Sequence, residues 1–593
     1  MKKNKISNSI KYEIVFETEY VYNKDLNINL CKGIIPLPHQ FRTLKWMDYR
    51  SNCKIRGGIL GLKMGLGKTG CGILRTAKKR LFKKKNVMKL FLNENKVNKN
   101  LGNLIYKYAY KETGISLVVL PKSAISTWED EIVKFVGEQL KVLVYHRDSM
   151  KTKFNTISYE ELCQYDIVII TYETLSSIAK KYGVFETLLE KDGYDRNSGI
   201  NIPIYTKKIK EKLPTIKGSK LLFYNLWEDV YADESHRLTN PKRLTFYSMM
   251  ALHAKYKWCL TGSIINNYTR DLYAQLKWLG GCEEFANQRQ FSYDEYIKKE
   301  LYKAVLIMSY EDAGIKLPPI IRKTEILEFD QKENEMYQYY QNATKDVYND
   351  FIVGGNSFAS VLTMFLRLRQ VCICPHTVLD KSKNDKKNEE FNTAQKTLDK
   401  ISGGLVSWLN NINGSAGMYS TKINRLVEII KKEIPKNESV LVFTNFKKAI
   451  DVIIKRFKKE KISYTLFDGD VKSSDRKKNI EKFRNKTAQV FLATFKAGSE
   501  SLNLSDISHN VIFCEEWWSP KSQDQGEMRV YRYGQKNIVR VWKLMMKNSI
   551  DIKMDEMCNH KRELSDLFMN GKGSKKNTNL NAQLLGTILG IKN

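Results

Sequence analysis

Although the chain holds ten cysteines, no two of them form a Cys-x-x-Cys pair. The one cluster, Cys372-Ile373-Cys374 with His376, lacks the second cysteine pair that zinc spacing demands, so no structural zinc is expected. Scattered thiols of this kind fit a reducing compartment. No apolar run approaches the ~18–20 residues of a membrane span. The basic start Met1-Lys2-Lys3-Asn4-Lys5 is not followed by the apolar core of a signal peptide. These gaps lead us to expect a soluble intracellular protein, or one packed into a particle assembled inside the cell, with no membrane partner. Acid is also scarce: 65 Asp and Glu stand against 99 Lys and Arg, a net charge of +34. The excess fits a polyanionic partner, most simply nucleic acid. Abundant lysine, asparagine and isoleucine also match an AT-rich genome, so coding bias on solvated faces is a second source of the same charge.

At 593 residues the chain is too long for one ordinary core. From about residue 36 to 280, short apolar strands alternate with helical stretches. Gly58-Ile59-Leu60, Ser116–Leu120, Tyr165–Thr171, Asp229–Asp233 and Trp258–Thr261 read as strands, and Ile125 to Phe135 has helical spacing. Strands buried on both faces and separated by helices predict a parallel α/β sheet, with ligands outside the carboxyl ends of the strands. Residues 78–110 and about 190–220 read as insertions. Between about 286 and 415 the strand pattern fades, helical stretches such as Glu335 to Val347 dominate, and Asp380 to Glu390 is a charged segment. The α/β rhythm returns at Ser439–Phe443 and continues through Ser463–Leu466, Gln489–Thr494 and Asn510–Cys514. We therefore expect an N-terminal extension (1–35), a first α/β lobe (36–285), a helical insertion and linker (286–419), a second α/β lobe (420–555) and a tail (556–593) that is loosely ordered from about 565.

The run Gly61-Leu62-Lys63-Met64-Gly65-Leu66-Gly67-Lys68-Thr69 follows the first strand and precedes a helix. Backbone N–H groups in such a loop cradle phosphates, the lysine reaches the β/γ-phosphates and the threonine hydroxyl ligates Mg²⁺. The general pattern asks for glycine at position 62, where leucine stands. Met64, Gly65, Leu66, Gly67, Lys68 and Thr69 are the candidate nucleotide contacts, with ATP and Mg²⁺ as cofactors. Phosphoryl transfer to water also needs a carboxylate for the metal and another to orient or deprotonate the water. Asp233-Glu234-Ser235-His236 ends an apolar strand and offers both, Asp233 for Mg²⁺ and Glu234 as base. Gln525-x-x-x-Arg529-x-x-Arg532-x-Gly534-Gln535 lies in the second lobe. Its arginines, three apart and so on one helical face, are candidate arginine fingers for charge building on the γ-phosphate.

Taken together these blocks resemble the Swi/Snf-like ATPases, a branch of the superfamily 2 helicases. Pro38-His39-Gln40-Phe41-Arg42 with Trp46 resembles the segment whose glutamine reads adenine, which marks Gln40. Met64–Thr69 matches that family's motif I and accounts for Leu62. Pro121-Lys122-Ser123 with Trp128 is similar to motif Ia, Ile170–Leu175 to the next strand end, Asp233–Pro241 to motif II, and Trp258–Ser263 with Asn267 to motif III. Leu366–Cys372 with Pro375 resembles the helix leading to the second lobe, where Val442-Phe443-Thr444, Asp468-Gly469, Lys496–Leu504, Trp517–Pro520 and Gln525–Gln535 complete the set. The resemblance covers residues 36–555 in order. It implies two RecA-like parallel-sheet lobes with helical insertions between them. It also implies an ATP hydrolase stimulated by DNA, moving along double-stranded DNA that Lys122, Ser123, Lys496 and Asn503 contact through the backbone. Trp517 and Trp518 read as packing residues.

Five features depart from the family: Leu62 and Lys63 in place of acidic residues, Ser235 in place of alanine, Ser499 and Ser501 in place of glycines, Tyr531 where histidine is common, and no paired-arginine block in Leu301 to Pro319. None removes a hydrolytic group; they bear on coupling between ATP and DNA. The expected function is a double-stranded DNA translocase that remodels DNA–protein complexes or serves transcription. It would act in the nucleus, or in a viral factory or virion if the source is a large DNA virus. A strand-separating DNA or RNA helicase and a non-catalytic nucleic-acid-binding transcription factor are the alternatives.

Overall fold

The computed structural model describes residues 20–92, 114–183, 211–262, 269–280, 303–378, 420–495 and 502–569, apart from a few positions inside those ranges. A short antiparallel hairpin, β1 (Tyr20–Asn23) and β2 (Ile28–Cys31), comes first. Two parallel sheets follow, each with its own buried core.

The first sheet has seven strands: β3 (Gly57–Leu62), β4 (Ser116–Leu120), β5 (Val142–Val144), β6 (Ile167–Thr171), β7 (Trp227–Asp233), β8 (Ala254–Leu260) and β9 (Val305–Met308). Their order is β5-β6-β4-β7-β8-β3-β9. Pairing is parallel in β5–β6, β6–β4, β4–β7, β7–β8 and β3–β9. Every residue of β3, β4, β6 and β7 is buried, as continuous apolar runs require when both faces are covered. The strands expected from the sequence at Ser116, Tyr165, Asp229 and Trp258 are thus present, in one sheet. The helix Lys68–Leu92 runs through the first half of the stretch read as an insertion at 78–110. Its lysines sustain helix as well as they would a loop.

A buried ion pair ties this sheet to its helices. Arg75 on the helix after β3 donates from Nε to Asp229 on β7 at 2.8 Å, from Nη1 to Asp48 at 3.1 Å and from Nη2 to Ser51 at 2.7 Å. Trp258 on β8 donates its indole N–H to the same Asp229 at 2.8 Å, and its ring lies 4.6 Å from the guanidinium carbon of Arg75. Burial alone would raise the Asp229 carboxyl, but Arg75 and Lys79 outweigh it and hold it below the usual carboxylate range.

The second sheet holds β10 (Ile320–Leu327), β11 (Ser439–Phe443), β12 (Tyr464–Phe467), β13 (Val490–Ala493), β14 (Ser508–Phe513) and β15 (Val539–Met546). They run parallel in the order β10-β15-β14-β11-β13-β12. One face packs Ile450, Ile453 and Phe457 of the helix Lys447–Lys459 on Val440, Val442, Val490 and Leu492. The other packs Phe483 and Phe495 on Leu441, Phe443 and Phe491. The helical stretch from Glu335 is present as Gln331–Ile352, capped by the reciprocal pair Asp330 and Glu333 and packed on a second helix, Phe358–Ile373. β9 and β10 both lie where the strand pattern fades, and they pair at the edges of the two sheets. β10 reads Ile-Ile-Arg-Lys-Thr-Glu-Ile-Leu and is largely exposed, so it lacks the apolar run that marks a central strand. The helix Ile550–Met569 extends past residue 565, where loose order was expected; Leu564, Leu567 and Phe568 continue its apolar spacing. Residues 380–390 and 570–593 lie outside the described residues.

Replacing Arg75 by Met, similar in bulk but uncharged, leaves Asp229 buried without its main cation. We expect a loss of about 3–5 kcal/mol in the first unfolding transition, read by urea titration. Because the Asp229 carboxyl is depressed, the wild-type contribution should be full above about 3.8 and fade as pH falls below it, whereas the variant should lack that dependence.

Candidate active site

Motif I begins where β3 stops. Leu62 is fully buried and pairs with Met308 of β9, while Lys63 is exposed and donates its N–H to the Met308 carbonyl at 3.0 Å. Leu62 therefore serves as the last residue of a strand. Leu66 N–H then closes a turn on the Lys63 carbonyl at 3.2 Å. Gly65 and Gly67 have φ of +84° and +72°, where a side chain is strained. The helix starts at Lys68, so the positive end of a 25-residue dipole meets the loop. Tyr310, two residues past β9, donates its hydroxyl to the Met64 carbonyl at 2.5 Å. No motif flagged Tyr310; it acts through parallel pairing of β9 with β3, which the sequence did not reveal.

Gln40 is the third residue of the helix Pro38–Ser51. Its Oε1 accepts from Leu37 N–H at 2.8 Å, which aims Nε2 at the motif I helix. A Cβ built on Gly67 would lie 2.6 Å from that Nε2, and one on Gly70 would lie 3.2 Å from it. The structure thus brings Gln40 against Gly67 of the phosphate loop and Gly70 in the first turn of its helix, where a Cβ would also lie 2.9 Å from Phe135 Cζ. Lys68 and Thr69 are half-buried.

Asp233 is the last residue of β7 and is held at two points. Its Oδ2 accepts from Trp128 Nε1 at 2.9 Å, and its carbonyl accepts from Tyr172 hydroxyl at 2.8 Å. Trp128 comes from the helix Ile125–Val136 after β4, the neighbour of β7, and Tyr172 follows β6, one strand further out, so the first holds the motif II carboxylate and the second its main chain. Glu234 follows in left-handed geometry, φ 49° and ψ 49°, a conformation that costs of order 1 kcal/mol or more outside glycine and clusters at functional turns. Its Oε2 lies 3.1 Å from His236 Nδ1. Ser235, in place of alanine, is fully buried and donates to Gln275 Oε1 at 2.6 Å, so the extra hydroxyl is satisfied.

In the second sheet the helix Pro520–Glu527 carries Gln525, which is buried. Arg529 and Arg532 were expected on one face of that helix, but both lie beyond its end, in successive turns. Gly526 sits against Phe513 and Phe443, with a Cβ there only 3.1 Å from Phe513 Cε1. After it the backbone passes into three-residue turns, Arg529 N–H bonding to Gly526 O at 3.2 Å. Arg529 is buried and donates Nε to Gln525 O at 3.1 Å and Nη1 to Leu502 O at 3.2 Å. Arg532 is half-buried, as is Tyr531. Gln535 donates to the carbonyls of Ser505 and Ser508 at 3.0 Å each and closes the block.

Lys122 is exposed in a short turn directly after β4, next to the half-buried Ser123. Asn503 is exposed, and its Oδ1 accepts from Ser505 Oγ at 2.9 Å, a turn-forming role. Trp517 stacks on Phe495 at 6.3 Å and lies 5.1 Å from the Arg369 guanidinium carbon, so it packs. Lys496, Ser499, Ser501, Trp518, Ser263 and Asn267 lie outside the described residues.

Comparison with known proteins bears directly on this arrangement. The SNF2-related domain family matches residues 39–377, and the helicase conserved C-terminal domain matches 421–534. This chain belongs to the SNF2-related family. Membership makes it an ATP-hydrolysing, helicase-like enzyme. Among relatives, the protein named "Putative helicase 172L" of Invertebrate iridescent virus 6 is 30% identical, covering 95% of this chain and 96% of its own length. An ATP-dependent helicase of Schizosaccharomyces pombe is 22% identical over 94% of this chain and 63% of its own. The DNA repair protein RAD5 of Eremothecium gossypii is 23% identical over 86% of this chain and 56% of its own. The SNF2-related chain thus spans nearly the whole viral relative but under two thirds of these two fungal ones.

Trp128→Phe keeps the ring and removes the N–H that holds Asp233. We expect kcat for ATP to fall roughly five- to tenfold, as loss of about 1–1.5 kcal/mol implies, with KM and thermal stability little changed. Steady-state ATP turnover and a melting curve check both.

Proposed function

We propose that this enzyme is an ATP-driven translocase on double-stranded DNA. The observation that carries the reading is the fixing of Asp233 by Trp128 and Tyr172, with Glu234 turned into left-handed geometry immediately after it. A carboxylate held this firmly at a strand end suits a preorganised site better than a solvated loop. In this reading Gln40 recognises the adenine edge, the loop Met64–Gly67 and Lys68 hold the phosphates, and Glu234 orients and deprotonates the attacking water. Arg529 and Arg532 supply positive charge to the γ-phosphate from the second lobe. Arg529, bound to Gln525 and Leu502 carbonyls, also fixes the shape of its own block. The Thr69 hydroxyl and the Asp233 carboxylate are hard oxygen donors of the kind Mg²⁺ takes, and they would hold that ion, which neutralises charge on the phosphates when bound. Lys122, Ser123, Lys496 and Asn503 contact the DNA backbone. Residues 36–285 and 420–555, each completed by an edge strand from between them, β9 and β10, are proposed as the two lobes that ATP turnover moves against each other.

The helicase C-terminal domain, the charge of +34 and a relative named for DNA repair support nucleic acid as the track. Full-length similarity to an iridovirus protein supports a role in a cell infected by a large DNA virus, in transcription or genome handling.

ATP turnover measured without nucleic acid and with duplex DNA, single-stranded DNA or RNA, alongside displacement of a third strand from a triplex, decides the matter. We expect duplex DNA to stimulate turnover and the triplex strand to be released without unwinding. Stimulation by single strands alone would sink the translocase reading in favour of a strand-separating helicase. Lys68→Ala and Glu234→Gln should each lower turnover at least a hundredfold; unchanged basal rates would refute the roles given to them.

A further inference from the structure

We infer that the second lobe carries a second contact surface for the phosphate backbone of duplex DNA, at the amino ends of β11, β12 and β13. This rests on the translocase reading and adds a site to it. In a parallel sheet the motif residues follow the carboxyl ends of the strands, here Thr444 after β11 and Asp468 after β12. The second surface lies at the other pole, about 15 Å away by the rise of a four- to five-residue strand.

Three chain segments meet there, 431–438 before β11, 455–461 before β12 and 478–486 before β13. Together they hold twelve Lys and Arg against four Glu. Sheet order makes these strands neighbours. Lys486 Nζ reaches the Asn437 carbonyl at 3.4 Å and Lys431 pairs with Glu460 at 2.8 Å, which ties the three segments into one patch. Three of its acids are already engaged: Glu460 with Lys431 and Arg456, Glu438 with Arg540 and His509, and Glu433 with Arg425. Lys436, Lys458, Lys459, Lys461 and Lys482 are exposed and make no ion pair among the described residues.

Two ordinary causes account for part of this charge. Cations favour the carboxyl ends of helices, which covers Lys458, Lys459 and Lys482. Coding bias favours lysine throughout. Neither covers Lys461 and Lys486, which sit just past helix ends with φ of +55° and +56°. That position favours glycine or asparagine. Asparagine comes from the same AT-rich codons, and Asn548 takes the same conformation in this chain, at φ +54°, in the turn between β15 and the following helix. Lysine stands at both places against backbone preference, so its charge has a use.

Phosphates along duplex DNA fit that use. Three adjacent strand starts span about 10 Å at ~4.8 Å each, between the widths of the minor and major grooves, about 6 and 12 Å. Lysines supply sequence-independent phosphate contacts. Single strands call for exposed aromatic rings to stack bases, and the patch has its rings, Phe457 and Phe483, fully buried.

The test uses the full chain with a biotinylated 30-base-pair duplex on beads and a second, fluorescent duplex in solution. Wild type should capture the second duplex on the first. The triple variant Lys436→Glu, Lys458→Glu, Lys461→Glu should lower that capture at least tenfold while duplex-stimulated ATP turnover stays within twofold. The double variant Lys461→Gly, Lys486→Gly should lower capture yet raise the melting temperature, a pair of shifts that damage to the fold cannot give. Capture unchanged in the triple variant, or absent in wild type, overturns the proposal. So does parallel loss of stimulation, which would make this pole the only track. Binding of wild type to polyglutamate beads without capture of a second duplex would assign the patch to an acidic protein instead. Capture without stimulation would refute the translocase reading and leave this surface standing.

Discussion

The pair between Arg75 and Asp229 sets the geometry on which the first sheet's chemistry depends. Asp229 lies four residues before Asp233 on one strand, and Arg75 lies seven residues after Lys68 on one helix. Fixing the two where they meet fixes the register of the motif I helix against the motif II strand. Asp48 and Ser51 join the same guanidinium, so the helix that carries Gln40 is referenced to the same point. Trp258 adds β8, the strand that leads to motif III. One buried cation thus orients four elements, of which the motif I helix begins at Lys68, β7 ends at Asp233 and the helix Pro38–Ser51 carries Gln40 in its first turn. Such an arrangement is costly in desolvation and is sustained by full hydrogen bonding of the charges.

Much of this was legible in the sequence. The strands that bear motifs are continuous apolar runs, and their carboxyl ends were read to within a residue or two at Leu120, Thr171, Asp233 and Phe443. Asp233 and Glu234 were legible as a carboxylate pair ending an apolar strand and Gln40 only through the family resemblance; Asp233 is the last residue of β7, Glu234 follows it, and Gln40 lies in the first turn of its helix. What was not legible has physical causes. β10 is exposed or half-buried along its whole length at a sheet edge, so it carries no core signature. β15 has mixed apolar and basic residues and went unmarked for a similar reason. The spacing of Arg529 and Arg532 suits a helix, but the helix ends at Glu527, one residue past Gly526, a poor helix former, and both arginines follow in turns. Tyr310 and Trp128 reach their partners through sheet pairing and helix packing, which no local pattern encodes.

The departures from the family take on distinct meanings. Leu62 is a buried strand end, and Ser235 has a buried partner in Gln275, so both fit the fold as built. Lys63 is exposed beside the phosphate loop, where it adds charge instead of the acid common in relatives. Ser499 and Ser501 belong to a segment outside the described residues.

The pairing of β10 with β15 joins residues 320–327 to 539–546 in register along eight positions. On a ribosome making about 5–20 residues per second, β10 emerges roughly 10–40 s before the strand that pairs with it. Through that interval Ile321 and Ile326, still half exposed in the finished protein at 54% and 57%, stand on an open strand with both edges unpaired. Arg322 and Lys323 between them are charges of the sort that keep such an edge from joining another chain. The second lobe closes only once residue 546 has been made, so its period of greatest exposure to misassembly falls during its own synthesis.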